Sequence, residues 1–242
     1  TRGLDALIVG AYGALGALFG YAHFVEARRP VLERVCIPIR GLRKPVRVAL
    51  LGDFHVGTVG SVALARKAIR MAIAQSPDVI VCVGDLISKW QDGTEELALR
   101  AIEPLRDFQG AKLAVTGNHD FKHGDGAWLE HIYAAIGAEL LQNRTVQSHG
   151  LNWVGIDSAL SGRADVFGAF ANLNFELPTV SIWHEPDCVE YLPSQADLML
   201  AGHAHGGQMR LPGGFAPTHT VWGQKYVSGF YPEAEVPLYV TR

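Results

Sequence analysis

The longest apolar run comes first. Residues 4–24 span 21 positions with Asp5 as the one formal charge, long enough to cross a hydrocarbon core of roughly 30 Å. The pattern predicts an N-terminal transmembrane helix, since the run is too long for an ordinary core helix and no clear small-x-small cleavage site marks a signal peptide. Beyond it the pattern changes. Short β-prone runs at 46–51, 79–83, 113–116, 180–183 and 198–201 are largely apolar, with Arg47, Thr116 and Ser181 as the exceptions, as strands buried on both faces of a layered sheet are. Apolar residues recur every three or four positions over 62–74 and 95–105, predicting crossover helices that stop near Gln75-Ser76-Pro77 and Pro104. Trp128, Ile132, Ile136 and Leu140 space a third helix, 146–148 and 151–156 form a hairpin-like pair, and 165–173 a short helix. Strand and helix alternating in this order give an α/β architecture of packed layers. The expected division is an anchor over 1–29, a basic juxtamembrane linker over 30–45 and one cored domain over 46–242. No internal repeat or low-complexity tract interrupts it.

Charge adds orientation and excludes one class of partner. The chain of 242 residues is 48% hydrophobic and 19% charged with a net charge of −3, so it has no broad basic footprint for nucleic acid. Its basic residues gather just after the apolar run, at Arg28, Arg29, Arg34, Arg40, Arg43 and Lys44, against Arg2 before it. The positive-inside tendency then places the large domain on the cytoplasmic side of an inner, or cytoplasmic, membrane, and the same residues suit anionic lipid. Gly16 and Gly20 form a G-x-x-x-G, a spacing that packs paired helices but is also common in single membrane helices. Oligomeric state stays open. Cys36, Cys82 and Cys188 are odd in number and widely spaced, which suggests a reducing compartment.

The candidate chemistry lies where the strand-like runs stop. They lead into Gly52-Asp53-Phe54-His55, Gly84-Asp85, Gly117-Asn118-His119-Asp120, His184-Glu185-Pro186 and Gly202-His203-Ala204-His205. In layered α/β sheets ligands collect beyond the carboxyl ends of the strands, so Asp53, His55, Asp85, Asn118, His119, His184, His203 and His205 should share one rim. Two carboxylates, an amide and several imidazoles without a thiolate suit two divalent ions of the Mn, Fe or Zn type better than Mg or Ca. Seven side chains supply eight ligand bonds if one carboxylate bridges. Two such ions, set against two carboxylates and a hydroxide, leave a positive surplus that attracts phosphate.

The ordered blocks Asp-x-His, Gly-Asp, Gly-Asn-His-Asp, His and Gly-His-x-His resemble the calcineurin-like metallophosphoesterases, over about residues 46–240. Gly202-His-Ala-His-Gly-Gly-Gln-Met-Arg-Leu-Pro212 resembles a membrane-associated bacterial branch that includes UDP-2,3-diacylglucosamine pyrophosphatase and phospholipid phosphodiesterase types. The resemblance implies a four-layer αββα sandwich. It implies one ion on Asp53, His55, Asp85 and His205 and another on Asp85, Asn118, His184 and His203, with Asp85 bridging and a metal-bridging hydroxide attacking phosphorus. It further implies His119 at the leaving group, with Asp120 as a candidate to orient its ring or as a plain turn carboxylate. His123 and His219 fall near motif blocks, within reach of a substrate phosphate, and Arg210, Lys89 and Trp90 follow metal blocks as candidate head-group contacts; ordinary loop roles are the alternative for each. The function implied is hydrolysis of a phosphodiester or pyrophosphate, in a membrane lipid or lipid precursor as substrate. The alternatives are a tethered phosphatase or nucleotide phosphodiesterase for soluble compounds, and a non-catalytic binding module of the same fold. Two features depart from the family pattern. Gly52 and Phe54 stand where Ser and Leu are commoner, and Tyr239-Val-Thr-Arg242 stops short of the usual closing strand, which would expose a sheet edge.

Overall fold

The computed structural model describes residues 2–207 and 218–242. The chain forms two compact units, Thr1–Val35 and Cys36–Arg242. The first holds helix α1, Arg2–Phe24, and a 3₁₀ turn at Glu26–Arg28. Leu7, Val9, Tyr12 and Phe19 of α1 are exposed. The stretch Gly3–Arg28 is long and apolar enough to cross a membrane. A helix that exposes so many large apolar side chains suits hydrocarbon better than water.

The second unit contains, in chain order, β1 (Val48–Leu51), α2 (Val59–Ile73), β2 (Val79–Cys82), α3 (Thr94–Ile102), β3 (Ala111–Ala114), α4 (Trp128–Ala134), β4 (Glu139–Leu140), β5 (Arg144–Ser148), β6 (Leu151–Ile156), α5 (Val166–Ala169), β7 (Thr179–Trp183), β8 (Leu198–Ala201), β9 (Gly229–Tyr231) and β10 (Leu238–Val240). Strands β1-β2-β3-β4 make a parallel sheet, and β5-β6-β7-β8-β10-β9 a mixed one. Between the sheets Val79, Val81, Val83, Leu113 and Val115 pack with Leu151, Trp153, Val180, Ile182 and Leu198. The outer face of the first sheet is covered by Ile69, Ala98, Ile102, Leu129 and Ile132 from α2, α3 and α4. The outer face of the second buries Val154, Ile156 and Met199 beneath Ala169, Cys188 and Val189. Both faces of each sheet are therefore covered, which is why the central strands read as largely apolar runs, and the mixed α/β fold follows from the pattern.

Some boundaries differ from expectation. The helix spaced by Trp128 to Leu140 ends at Ala134; Gly137 at φ 69° reverses the chain, and Leu140 lies in β4. The predicted 95–105 helix becomes a 3₁₀ turn from Glu103, where Pro104 cannot donate to the helical ladder. Only four residues of the predicted 165–173 helix are helical, capped by the Asp165 carboxylate. Ile37, Ile39 and Leu42, expected in a linker, pack on the core between the sheets. Tyr239 lies in β10, flanked by β8 and β9, and among the described residues β9 forms the edge of that sheet.

Candidate metal centre

The ligand loops are held by backbone bonds that continue the sheet past its strands. Asp53, His55 and Val56 N–H groups donate to the carbonyls of Gly84, Asp85 and Leu86 at 3.1, 3.0 and 2.9 Å. The loops after β1 and β2 are thus zipped together before α2 begins. Thr58 and Ser61 form a reciprocal capping box there, a device that contributes about 1 kcal/mol. The two sheets are tied at the same rim, where the His203 N–H donates to both Asp53 carboxylate oxygens at 3.1 and 3.0 Å. Asp53, His55, Asp85, His203 and His205 all adopt positive φ, between 44 and 67°. Non-glycine residues pay about 1 kcal/mol or more for that geometry, so packing around the rim overrides local preference.

Two groups of donors result. Asp53, His55, Asp85 and His205 converge, as do Asp85, His184 and His203, with donor atoms within 4.8 Å of one another in each group. Asp85 belongs to both. Its Oδ2 lies 3.4 Å from His55 Nε2 and 3.2 Å from His184 Nε2. His55 Nε2 and His205 Nε2 approach to 3.0 Å, and His203 Nδ1 and His184 Nε2 to 3.2 Å. Among the described residues Asp85 Oδ2 and Asn118 Oδ1 are buried without a hydrogen-bond partner. Buried acceptors are ordinarily satisfied, and nitrogen and oxygen lone pairs converging in this way fit divalent cations.

Distal hydrogen bonds fix the rings. His184 Nδ1 faces the Val83 carbonyl at 2.6 Å and His203 Nε2 the Val221 carbonyl at 2.7 Å, so each ring carries its proton away from the centre and turns its other nitrogen inward. Burial by itself would lower the His184 pKa and raise that of Asp85; their close pairing overrides it, lifting the imidazole well above its usual value and holding the carboxyl well below. Burial pushes His55 down to about 4 against the pull of Asp85, and burial and His184 lower His203. A cation bound to this set would compete with the close Asp85–His184 pairing at 3.2 Å.

His119 lies beside the donors. Its backbone N–H donates to Asp85 Oδ1 at 2.8 Å, its ring meets that of His55 edge-on at 4.6 Å, and its Nδ1 faces the Ser88 carbonyl at 2.6 Å. Ser88, not Asp120, therefore orients the His119 ring, correcting the orienting part expected for Asp120. The buried Asp120 carboxylate instead accepts N–H groups of Asp85, Gly117 and Ile87 at 3.0, 2.9 and 3.2 Å. It staples the second ligand loop to the third. Burial and the Asp85 charge push the Asp120 pKa up to about 7, against the Gly117 and Ile87 N–H groups.

The remaining candidates separate. His123 and His219 are exposed, Arg210 lies outside the described residues, and Lys89 is exposed. Trp90 stacks near Trp128 at 5.0 Å, so its ring belongs to the helical face of the core. Sequence reasoning missed Ser88 and the carbonyls of Val83 and Val221, since every residue has a carbonyl and nothing in the sequence marks these three. It also missed Glu185, fully buried, whose carboxylate accepts the Ser158 hydroxyl and the N–H groups of Ala159 and Leu160. A glutamate directly following a candidate ligand histidine was the available signal.

Two sheets packed face to face thus carry aspartate and histidine donors from both at one rim. Residues 46–207 match the calcineurin-like phosphoesterases, and the chain belongs to that family. It is similar to phosphodiesterase YaeI of Escherichia coli, 27% identical over 93% of this chain and 84% of that one. It is also similar to a transmembrane protein with metallophosphoesterase domain of Danio rerio, 31% identical over 81% of this chain and 48% of the other. A nematode relative named as a metallophosphoesterase, F40B5.2 of Caenorhabditis elegans, is 29% identical over 81% of this chain and 44% of its own length. The chain thus spans under half the length of the last two.

Proposed function

We propose that the protein is a membrane-tethered hydrolase of phosphodiester or pyrophosphate bonds that uses two divalent ions, of the Mn, Fe or Zn type, on a phosphorylated lipid or lipid precursor. The observation that carries this reading is Asp85, shared by both donor groups with a buried, unpartnered Oδ2. Asp53, His55, Asp85 and His205 would hold one ion, and Asp85, Asn118, His184 and His203 the other. When bound, such ions supply positive charge that draws a phosphoryl group and acidifies water.

The chain's own residues do the rest. His119 Nδ1–H donates to the Ser88 carbonyl, which turns Nε2 toward the departing oxygen; protonated at both nitrogens, the ring gives its Nε2 proton to that oxygen and keeps the Nδ1 proton. Asp120 keeps the Asp85 and Asn118 loops in register. His123, His219 and Arg210 are proposed phosphate contacts. The apolar helix α1 and a relative named as a transmembrane protein support membrane attachment, and the basic residues after α1 support a cytoplasmic catalytic side. The anchor and the catalytic domain are proposed over 1–29 and 46–242, with the 30–45 stretch between them contributing Ile37, Ile39 and Leu42 to the core of the catalytic unit.

The test is a substrate panel for detergent-solubilised, Mn²⁺-loaded protein: lipid pyrophosphates, phospholipids, cyclic nucleotides and phosphomonoesters. Turnover of lipid pyrophosphates or phospholipids above the soluble compounds is expected. Release from soluble compounds alone would make it a tethered phosphatase or nucleotide phosphodiesterase, and release from none a binding module.

A further inference from the structure

The segment that holds His203 also presents an apolar surface that no step so far uses. The Val221 carbonyl accepts from His203 Nε2 at 2.7 Å, while the Val221 residue is 62% exposed. The next residue, Trp222, is held at φ 65°, a backbone region that bulky L-residues rarely enter. Trp222 is 37% exposed, and its ring meets that of Tyr191, 59% exposed, at 5.7 Å and 67°.

This loop is built to be rigid. The Trp222 carbonyl accepts the Asp187 N–H at 3.1 Å. The Asp187 carboxylate in turn accepts the N–H groups of Gln224, Lys225 and Tyr226 at 2.9, 3.2 and 3.1 Å. Lys225 pairs with Glu190 beside Tyr191, which settles the nearest charges on each other. Two aromatic rings and a valine are thus fixed facing water, next to a candidate metal ligand. Clustered exposed apolar groups of this kind mark a surface that something covers.

We propose that Val221, Trp222 and Tyr191 form an apolar ridge that receives the aliphatic chain of the substrate as its phosphate meets the metal centre. The inference rests on the hydrolase reading above and adds a chain-recognition element to it. Continuity selects the occupant, because one carbonyl joins the ridge to His203, so a group on the ridge and a phosphate on the donors can belong to one molecule. At 5.7 Å and 67° the two rings leave no parallel slot between them for a planar base, whereas a flexible chain can follow an edge-to-face pair and the valine beside it.

The experiment uses full-length, Mn²⁺-loaded protein with p-nitrophenyl methyl, hexyl and decyl phosphates, kept below micelle formation and without bilayers. A thymidine p-nitrophenyl ester is run beside them. For the wild-type protein kcat/KM should rise about tenfold from methyl to decyl, mainly through KM. Trp222→Ala and Tyr191→Ala should each cut the decyl-to-methyl ratio at least threefold at equal metal content, and Trp222→Phe should restore most of it. An unchanged ratio in both alanine variants overturns the proposal. So does a chain-length effect seen only in phosphatidylcholine vesicles, which makes the ridge a bilayer contact, or a loss confined to the thymidine ester, which makes it a base platform. Calorimetric binding of decylphosphonate against methylphosphonate separates the two ideas. If no diester is cleaved the hydrolase reading fails, and the ridge still stands when both alanine variants lose the preference for decylphosphonate, or falls when they keep it.

Discussion

At the scale of single residues, Asp85 divides its work between two oxygens. Oδ1 accepts the His119 N–H at 2.8 Å, and Oδ2 lies buried between His55 and His184 at 3.4 and 3.2 Å. An asparagine keeps the shape but replaces an anionic oxygen with a neutral amide, so Asp85→Asn should remove most bound metal and nearly all activity. Elemental analysis finding two ions still bound per chain would refute the bridging assignment. His119 is different, since Ser88 already holds its ring and it lies outside both donor groups. His119→Ala should retain metal and lower kcat by about 10²–10⁴, the usual effect of a lost general acid. The loss should be larger on alkyl esters, whose alkoxide needs a proton, than on nitrophenyl esters; equal losses would favour plain charge stabilisation, and lost metal a structural role.

At the scale of elements, the glycines before the ligands mark where the loops meet at backbone distance. A Cβ on Gly117 would lie 2.2 Å from Asp85 Oδ1 and 2.4 Å from the Asp85 nitrogen, and one on Gly202 would lie 2.5 Å from Asp53 Oδ2. Neither neighbour can retreat, because Asp85 is stapled by Asp120 and Asp53 by the His203 N–H. Gly117→Ala should therefore separate the second and third loops, weakening metal retention at least tenfold on dialysis, with little loss of helix content by circular dichroism. Wild-type retention would mean that the loops are more compliant than their hydrogen bonds indicate.

At the scale of the whole molecule, the donors come from residues 53–205 of a unit that begins at Cys36. Removing residues 1–35 should leave turnover of a small chromogenic diester nearly unchanged and lower turnover of substrate presented in vesicles. Removing residues 1–45 should do more. Ile37, Ile39 and Leu42, each partly buried, pack on the core between the sheets, so each contributes a fraction of the about 1.5–3 kcal/mol of a fully buried side chain. Thermal melting of the two truncations checks this: equal midpoints would return 36–45 to the role of a linker.

The apolar runs, their alternation with helical spacing and the polar residues at their ends were enough to determine the layered α/β class, the strands of the rim and the donor types. That is because a strand buried on both faces must be apolar, and metal-binding side chains are few and recognisable. The apolar N-terminal stretch was legible for the same reason. Which donors meet was decided only in three dimensions, where β8 and β1, far apart in sequence, are joined through His203 and Asp53. The partner of each ring was likewise hidden. Ser88, Val83 and Val221 act through backbone carbonyls, whose direction depends on tertiary packing and leaves no mark on residue type. Asp120 shows the limit most clearly: its place beside His119 suggested an orienting carboxylate, but the loops fold so that three buried N–H groups reach it first.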